Sequence, residues 1–377
     1  MTAPVVKGWC PGAHRPMLSG DGLVVRVRPF RGELDAAQVL ALCDLTLRFG
    51  NGSLDLTSRG NLQIRGVSEA RHPNLLDALN VIELVDADPA VEGHRNILVA
   101  PDRRPGDLTD RLGDALLRVL PTLPGLPEKM GIVLDTGVGA VLRSGSGDFR
   151  FEIAMDGDLI LRADGAAAGR PVAEHAAMNA LADMVDWFVA TNGPAAGRMA
   201  RHLRHQPLPS EWQRVAPRAP APAPGTGRCG ADWILGAPFG SLPAQSLAAL
   251  VRDSGATALR PMLGRLFRLC NARDVAAAGF VTAPGTRLLQ VHACPGAPFC
   301  PQATVETRGL ATRLAPLTKG TLHVSGCAKG CALQCPADIT LVGRTGSFDV
   351  VRHGTAADIP LRRGIDPSHL TDLTEMI

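Results

Sequence analysis

A chain of 377 residues exceeds the roughly 100 to 200 residues of a usual domain, so two or more packed units are expected. Hydrophobic residues make up 45% and charged residues 20%, too apolar a balance for a disordered protein. The net charge of +3 is small and Lys and Arg are scattered, which gives no basis for a nucleic-acid partner.

The opening MTAPVVKGWCPGAHRP has no apolar run of signal-peptide length, and no stretch approaches the roughly 18 apolar residues of a membrane span. The expectation is a soluble, cytoplasmic protein without a membrane partner. Residues 22–30, GLVVRVRPF, alternate as a half-buried strand does, and 35–49 carry apolar residues at helical spacing behind Asp35 as N-cap. Strands at 53–56 and 62–66 and a helix over 68–84 complete an α+β unit, 1–86. Strands at 94–100 and 132–135, a hairpin over 149–162 and a long helix over 171–205 form a second region, 87–206.

Residues 207–230 include VAPRAPAPAPGTG and read as a semi-rigid linker. Beyond it, Pro238, Phe239, Gly240 and Leu242 precede a helix to about residue 251, echoing Pro29, Phe30, Gly32 and Leu34 before the first helix. The chain reads as an internal duplication, with a second half-domain over 231–288 and a second αβ region over 289–377.

Five of the nine cysteines fall between 294 and 335, and in a chain without an export signal such a cluster reads as metal ligation, not as a disulfide framework. CPGAPFC ends at Cys300 and SGCAKGC at Cys331; five residues separate Cys294 from Cys300 and three separate Cys327 from Cys331. A cubic iron-sulfur cluster needs four soft thiolates on loops whose backbone can wrap it, a task that suits Gly296, Gly326 and Gly330. Structural zinc also uses four cysteines, but its paired ligands sit about two to four residues apart, which disfavours it here. Cys43, Cys229 and Cys270 stand alone among apolar neighbours and read as buried and unligated. Cys335 is a rival ligand, and the role of Cys10 stays open.

At these residues the sequence resembles the nitrite and sulfite reductase family, in which a four-iron cluster lies beside a bound tetrapyrrole. LTSRGNLQIRG (56–66) is similar to the family's anion-binding Arg strand, HRNILVAP (94–101) to its second Arg strand, and LPEKMGIVLD (126–135) to its lysine-bearing segment. The resemblance implies an α+β fold of duplicated nitrite/sulfite reductase-like architecture, with two ferredoxin-like halves and two larger αβ regions about a pseudo-twofold axis. It implies a 4Fe-4S cluster on Cys294, Cys300, Cys327 and Cys331, and substrate contacts from Arg59, Arg95, Lys129, Arg65, Asn61 and Gln63. Arg forks suit a macrocycle with ionised acetate and propionate arms.

WCPGAHRPMLSGDGLVVRVRP (9–29) resembles the start of the family's oxygen-dependent branch, which acts in aerobic cobalamin synthesis. The reductases carry two lysines one residue apart, whereas here Lys129 is followed at that spacing by Gly131. This likeness implies a monooxygenase that hydroxylates precorrin-3A with dioxygen and closes a γ-lactone, drawing electrons ultimately from NADH. The chain shows no GxGxxG after a strand, so a separate reductase or electron-transfer protein is expected. A siroheme-dependent nitrite or sulfite reductase is the alternative, and a non-catalytic iron-sulfur carrier or tetrapyrrole-binding module is a third. No residue is assigned to activate dioxygen. A mononuclear non-haem iron is left open, with His14, His94, His292 and His323 available and none assigned.

Overall fold

The computed structural model describes residues 11–275 and 279–370, so Cys10 lies outside the described residues. Four five-stranded sheets carry the chain. In the first, the strands run Met17–Ser19, Gly22–Val27, Leu62–Val67, Ser53–Leu56 and finally Ser241–Pro243, which arrives from the second half of the sequence. The third sheet is its counterpart: Gly227–Cys229, Asp232–Gly236, Leu266–Cys270, Ala258–Pro261, and then Leu34–Asp35 from the first half. Each half therefore lends its partner an edge strand. The registers match, with Leu242 opposite Leu54 and Leu34 opposite Leu259.

The helices behind these sheets follow from local chemistry. Asp35 caps Ala36–Phe49 in a full capping box with Gln38, and Gly255, in the left-handed region at φ 64°, ends Ala244–Ser254. The two helices pack together, and one apolar core unites both halves around Val39, Leu42, Leu247 and Val251. The duplication is sharper in space than in sequence. Arg31 at φ 51° and Gly32 correspond to Phe239 at φ 58° and Gly240, so the match runs one position away from the Pro-Phe echo.

The other two sheets also share one topology. Strands Ile97–Val99, Ile132–Asp135 and Phe149–Ile153 are parallel and continue antiparallel into Leu159–Ala163 and Arg170–Pro171. Val291–Ala293, Leu322–Ser325 and Ala337–Arg344 repeat the parallel part, followed by antiparallel Ser347–Gly354 and Arg362–Ile365.

Several expectations are corrected. The strand over 94–100 shrinks to Ile97–Val99, because Pro89–His94 is a short helix capped by Asp88. The helix over 171–205 breaks into Ala177–Ala190 and two single turns, since Asn192 and Gly197 both take positive φ. The Pro/Ala-rich stretch is tied to the first αβ region by bridges Gly169 to Val215, Ala154 to Pro217 and Ala140 to Pro220. Cys43 and Cys270 are buried, but Cys229 is exposed on an edge strand. Among the described residues no helix is long and apolar enough to cross a membrane.

Candidate functional site

The site forms at the carboxyl ends of the parallel strands Val291–Ala293 and Leu322–Ser325, where open α/β sheets characteristically bind ligands. Val291, Ala293, Leu322 and Val324 point into the apolar core, and His292, His323 and Ser325 alternate to the other face. The helix Arg308–Leu314 makes the crossover between the two strands. Cys294 follows the first strand directly, and Gly326 and Cys327 follow the second.

The two cysteine loops are held against each other by their backbones. The Gly326 amide donates to Cys294 Sγ at 3.2 Å, and the Thr307 hydroxyl donates to the Cys294 carbonyl at 2.5 Å. Cys300 N donates to Gly296 O at 2.8 Å, and Ser325 Oγ to Cys327 O at 2.7 Å. Glycine is required at two of these points. A Cβ on Gly296, already at φ 67°, would meet Thr307 Oγ1 at 2.5 Å, and one on Gly326 would meet Ala303 Cβ at 2.6 Å.

All four thiols line one cavity of about 680 Å³, and no disulfide joins them. Cys294 is buried, Cys300 and Cys327 are half-buried, and Cys331 is open to solvent through the cavity. Burial pushes the Cys327 and Cys331 thiols up, the other site cysteines add to it, and Lys329 pulls against it. Among the described residues no three His, Cys, Asp or Glu side chains converge on a single-ion position. Thiols set around a space, with an amide aimed at a sulfur, fit a cluster in which each cysteine meets a different iron.

Gln63 and Arg65 share the cavity with the cysteines and with the hairpin Met17–Ser19 and Gly22–Val27, whose second strand is their neighbour in the sheet. Arg65 is committed to protein: its guanidinium donates to Asp21, Asp55 and Ser19. Burial opposes its charge, but Asp55 and Asp21 outweigh burial and hold the guanidinium above its ordinary value.

The remaining residues singled out from the sequence stand apart from the cavity walls. Arg59 sits half-buried in the turn between Ser53–Leu56 and Leu62–Val67. Asn61 is buried, and its side-chain nitrogen has no hydrogen-bond partner among the described residues. Arg95 is fully buried, 2% exposed, donating to Glu92 and the Arg28 carbonyl and stacking on Phe30 at 3.5 Å. Burial draws its guanidinium down, against the pull of Glu92. Lys129 is exposed on a turn.

Sequence reasoning missed Arg26, Arg265, Arg308 and Lys329, which all line this cavity or the one beside it. Arg26 left a signal, being opposite Gln63 in a strand whose alternation was legible, and Lys329 lies within the second cysteine motif. Of the four histidines, His14 bonds the Asp86 carbonyl, His94 ends a short helix, His292 reaches a cavity wall and His323 is wholly buried.

The family model for the nitrite/sulfite reductase ferredoxin-like half domain matches residues 15–82, the first half with its lent strand. The structure of Mycobacterium tuberculosis NirA protein aligns with TM-score 0.65 at 19% identity, over 94% of this chain and 79% of that one, which establishes the shared fold. A ferredoxin–nitrite reductase of Leptolyngbya laminosa is 24% identical over 89% of this chain and 79% of its own length. One of Synechococcus elongatus is 32% identical, but over only 25% of this chain and 18% of its own. A precorrin-3B synthase of Sinorhizobium sp. is 33% identical over 95% of this chain and 85% of its own length. On that likeness, carried through nearly the whole of both chains, the protein belongs to the precorrin-3B synthase family, oxidoreductases that share the nitrite and sulfite reductase fold.

Proposed function

We propose that this chain oxidises precorrin-3A with dioxygen to precorrin-3B, with the large cavity at the cysteine loops as its site. The supporting observation is the 33% identity to a precorrin-3B synthase over 95% of the chain, combined with four thiols around one cavity. Cys294, Cys300, Cys327 and Cys331 are read as the ligands of a 4Fe-4S cluster. When bound, such a cluster passes electrons one at a time.

The reaction places one oxygen atom of dioxygen in the substrate and the other in water, consuming two electrons and two protons. NADH is the ultimate donor, through a separate reductase or carrier. The chain's own residues position the substrate. Apolar Met17, Leu18 and Val24 of the hairpin and Pro295 and Pro301 of the cysteine loop offer faces to a flat macrocycle. Arg26 and Lys329 add positive charge to the cavity walls, suited to its ionised arms. Arg59, Asn61, Gln63, Arg65, Arg95 and Lys129 remain proposed substrate contacts by resemblance, and of these Gln63 and Arg65 line the cavity.

The siroheme reductase reading is weakened by position 131. A Cβ there would lie 2.8 Å from the Asn96 carbonyl oxygen, so a second lysine has no room as the backbone stands. The test is oxygen consumption and product analysis with precorrin-3A and a chemical electron donor, beside nitrite and sulfite reduction assays. Precorrin-3B formation is expected. Reduction of nitrite or sulfite without oxygen-dependent change in precorrin-3A refutes the proposal.

A further inference from the structure

A second cavity, of about 250 Å³, adjoins the large one and shares Gln63, Arg65, Cys294, Pro295 and Cys331 as walls. Its other walls bring in Arg265 and Arg308, from distant parts of the sequence. We propose that this smaller cavity is a subsite for one carboxylate arm of the bound macrocycle, held by Arg265 with Arg308 as second cation. The inference rests on the tetrapyrrole reading and assigns it a specific anchor.

Most other arginines withdrawn from water in this protein meet an acid. Arg28 and Arg95 share Glu92, Arg150 and Arg162 share Glu152, Arg260 meets Glu33 and Arg268 meets Asp232. A guanidinium taken out of water needs such an acid, because desolvation of an unpaired charge costs several kcal/mol. Arg265 breaks the pattern. Its NH1 donates to the Val291 carbonyl at 2.6 Å and its NH2 to the Leu289 carbonyl, and among the described residues no carboxylate forms an ion pair with it. Burial alone draws its guanidinium down to about 10, with no acidic neighbour to oppose the shift.

The backbone also holds Arg265 deliberately. It takes φ 64°, a left-handed conformation uncommon for a residue other than glycine, at the end of the turn joining Ala258–Pro261 to Leu266–Cys270. The two carbonyls fix the fork on one side, so the edge toward the cavity is presented in a set orientation.

The remaining charges do not neutralise the cavity. Asp55 is the acid in its wall, and it already faces both Arg65 at 3.3 Å and Arg308 at 3.7 Å. Arg65 is matched by Asp21, which leaves Arg265 and Arg308 against Asp55 in the wall, and an anion entering from the large cavity would redress the balance. A carboxylate is the fitting anion because a guanidinium fork grips its two oxygens in one plane. A macrocycle lying over the cysteines can extend one arm across the shared wall while its ring stays in the large cavity.

The test is anaerobic titration of the cluster-loaded protein with precorrin-3A, so that binding is read without turnover. Arg265→Gln keeps a donor for the Leu289 and Val291 carbonyls and removes the charge, and it is expected to weaken binding by about tenfold to a hundredfold. Arg265→Lys, which keeps the charge but not the fork, is expected to recover part of that loss, which a purely structural role for the side chain would not predict. Iron and sulfide content should match the parent in both. If Arg265→Gln fails to fold, Arg308→Gln carries the test, with about tenfold weaker binding expected. A parent protein that binds no precorrin-3A overturns the tetrapyrrole reading and the subsite with it. A parent that binds while the charge-removing variants bind equally well overturns the subsite alone.

Discussion

Arg65 grips Asp21 through paired hydrogen bonds, Nε to Oδ2 at 3.0 Å and NH2 to Oδ1 at 2.8 Å. The contact ties strand Leu62–Val67 to the turn of the neighbouring hairpin, which lines the cavity with the cysteine loops. Both side chains are largely buried, 13% and 6% exposed. Arg65→Met strands Asp21 and Asp55 without their shared cation and should cost about 3 kcal/mol of stability, the low end for breaking a buried pair. Thermal or denaturant unfolding of the variant checks the value. Faster protease cleavage within the hairpin should accompany it.

Replacing Cys294, Cys300, Cys327 or Cys331 singly by Ser should abolish the iron-sulfur chromophore, since each change removes one thiolate. Cys43→Ser and Cys270→Ser should leave iron and sulfide content intact, because these thiols are buried in the half-domain cores. Four site variants with full iron and sulfide would sink the ligand assignment.

His323 offers a pH-dependent test. Among the described residues neither ring nitrogen has a hydrogen-bond partner and the residue is wholly buried, so burial pushes its pKa down from 6.5 to about 4. The folded protein holds the ring neutral while the unfolded chain protonates near 6.5. Its contribution is therefore fully present above pH 6.5 and is lost as pH falls from there toward 4. The loss is up to about 3 kcal/mol at the bottom of that window. His323→Leu should leave stability near neutrality roughly unchanged and flatten the decline of the thermal midpoint between pH 6.5 and 4. An equally steep decline in the variant would refute it.

Gly131→Lys tests the difference from the reductases. The new Cβ would press on the Asn96 carbonyl at 2.8 Å, and residue 131 is also pinned by Asp148, which accepts from its amide at 3.0 Å. The variant should lose about 1 to 3 kcal/mol through overpacking and gain no turnover of precorrin-3A and no nitrite or sulfite reduction. Steady-state assays beside an unfolding curve read both.

What could be read from the sequence was local. Cys294 to Cys300 and Cys327 to Cys331 are short-range spacings on loops that follow strands, so the gathering of the four thiols around one cavity was legible without tertiary knowledge. The first half-domain was legible because its strands alternate cleanly and Asp35 and Gln38 form a recognisable cap. Arg265 and Arg308 were not legible, because nothing near either residue signals that folding brings both to a wall shared with Gln63. Arg95 carries a second role that its motif did not announce: Glu92, on the short helix that Arg95 follows, pairs with it in the interior. The helix over 171–205 failed for a backbone reason, a left-handed Asn192 that apolar periodicity cannot reveal.

The exchanged edge strands also set a timetable for synthesis. Ser53 and Ser241 hydrogen-bond across the seam although 188 positions separate them along the chain. At about 5 to 20 residues per second, the first half waits on the order of 10 to 40 seconds on the ribosome before its last strand emerges. Throughout that interval Ser53–Leu56 presents an unpaired edge, the feature most apt to capture another chain. Its four residues alternate Ser53 and Asp55 with Leu54 and Leu56, and the short length and the Asp55 charge limit that hazard until Ser241–Pro243 arrives to close the sheet.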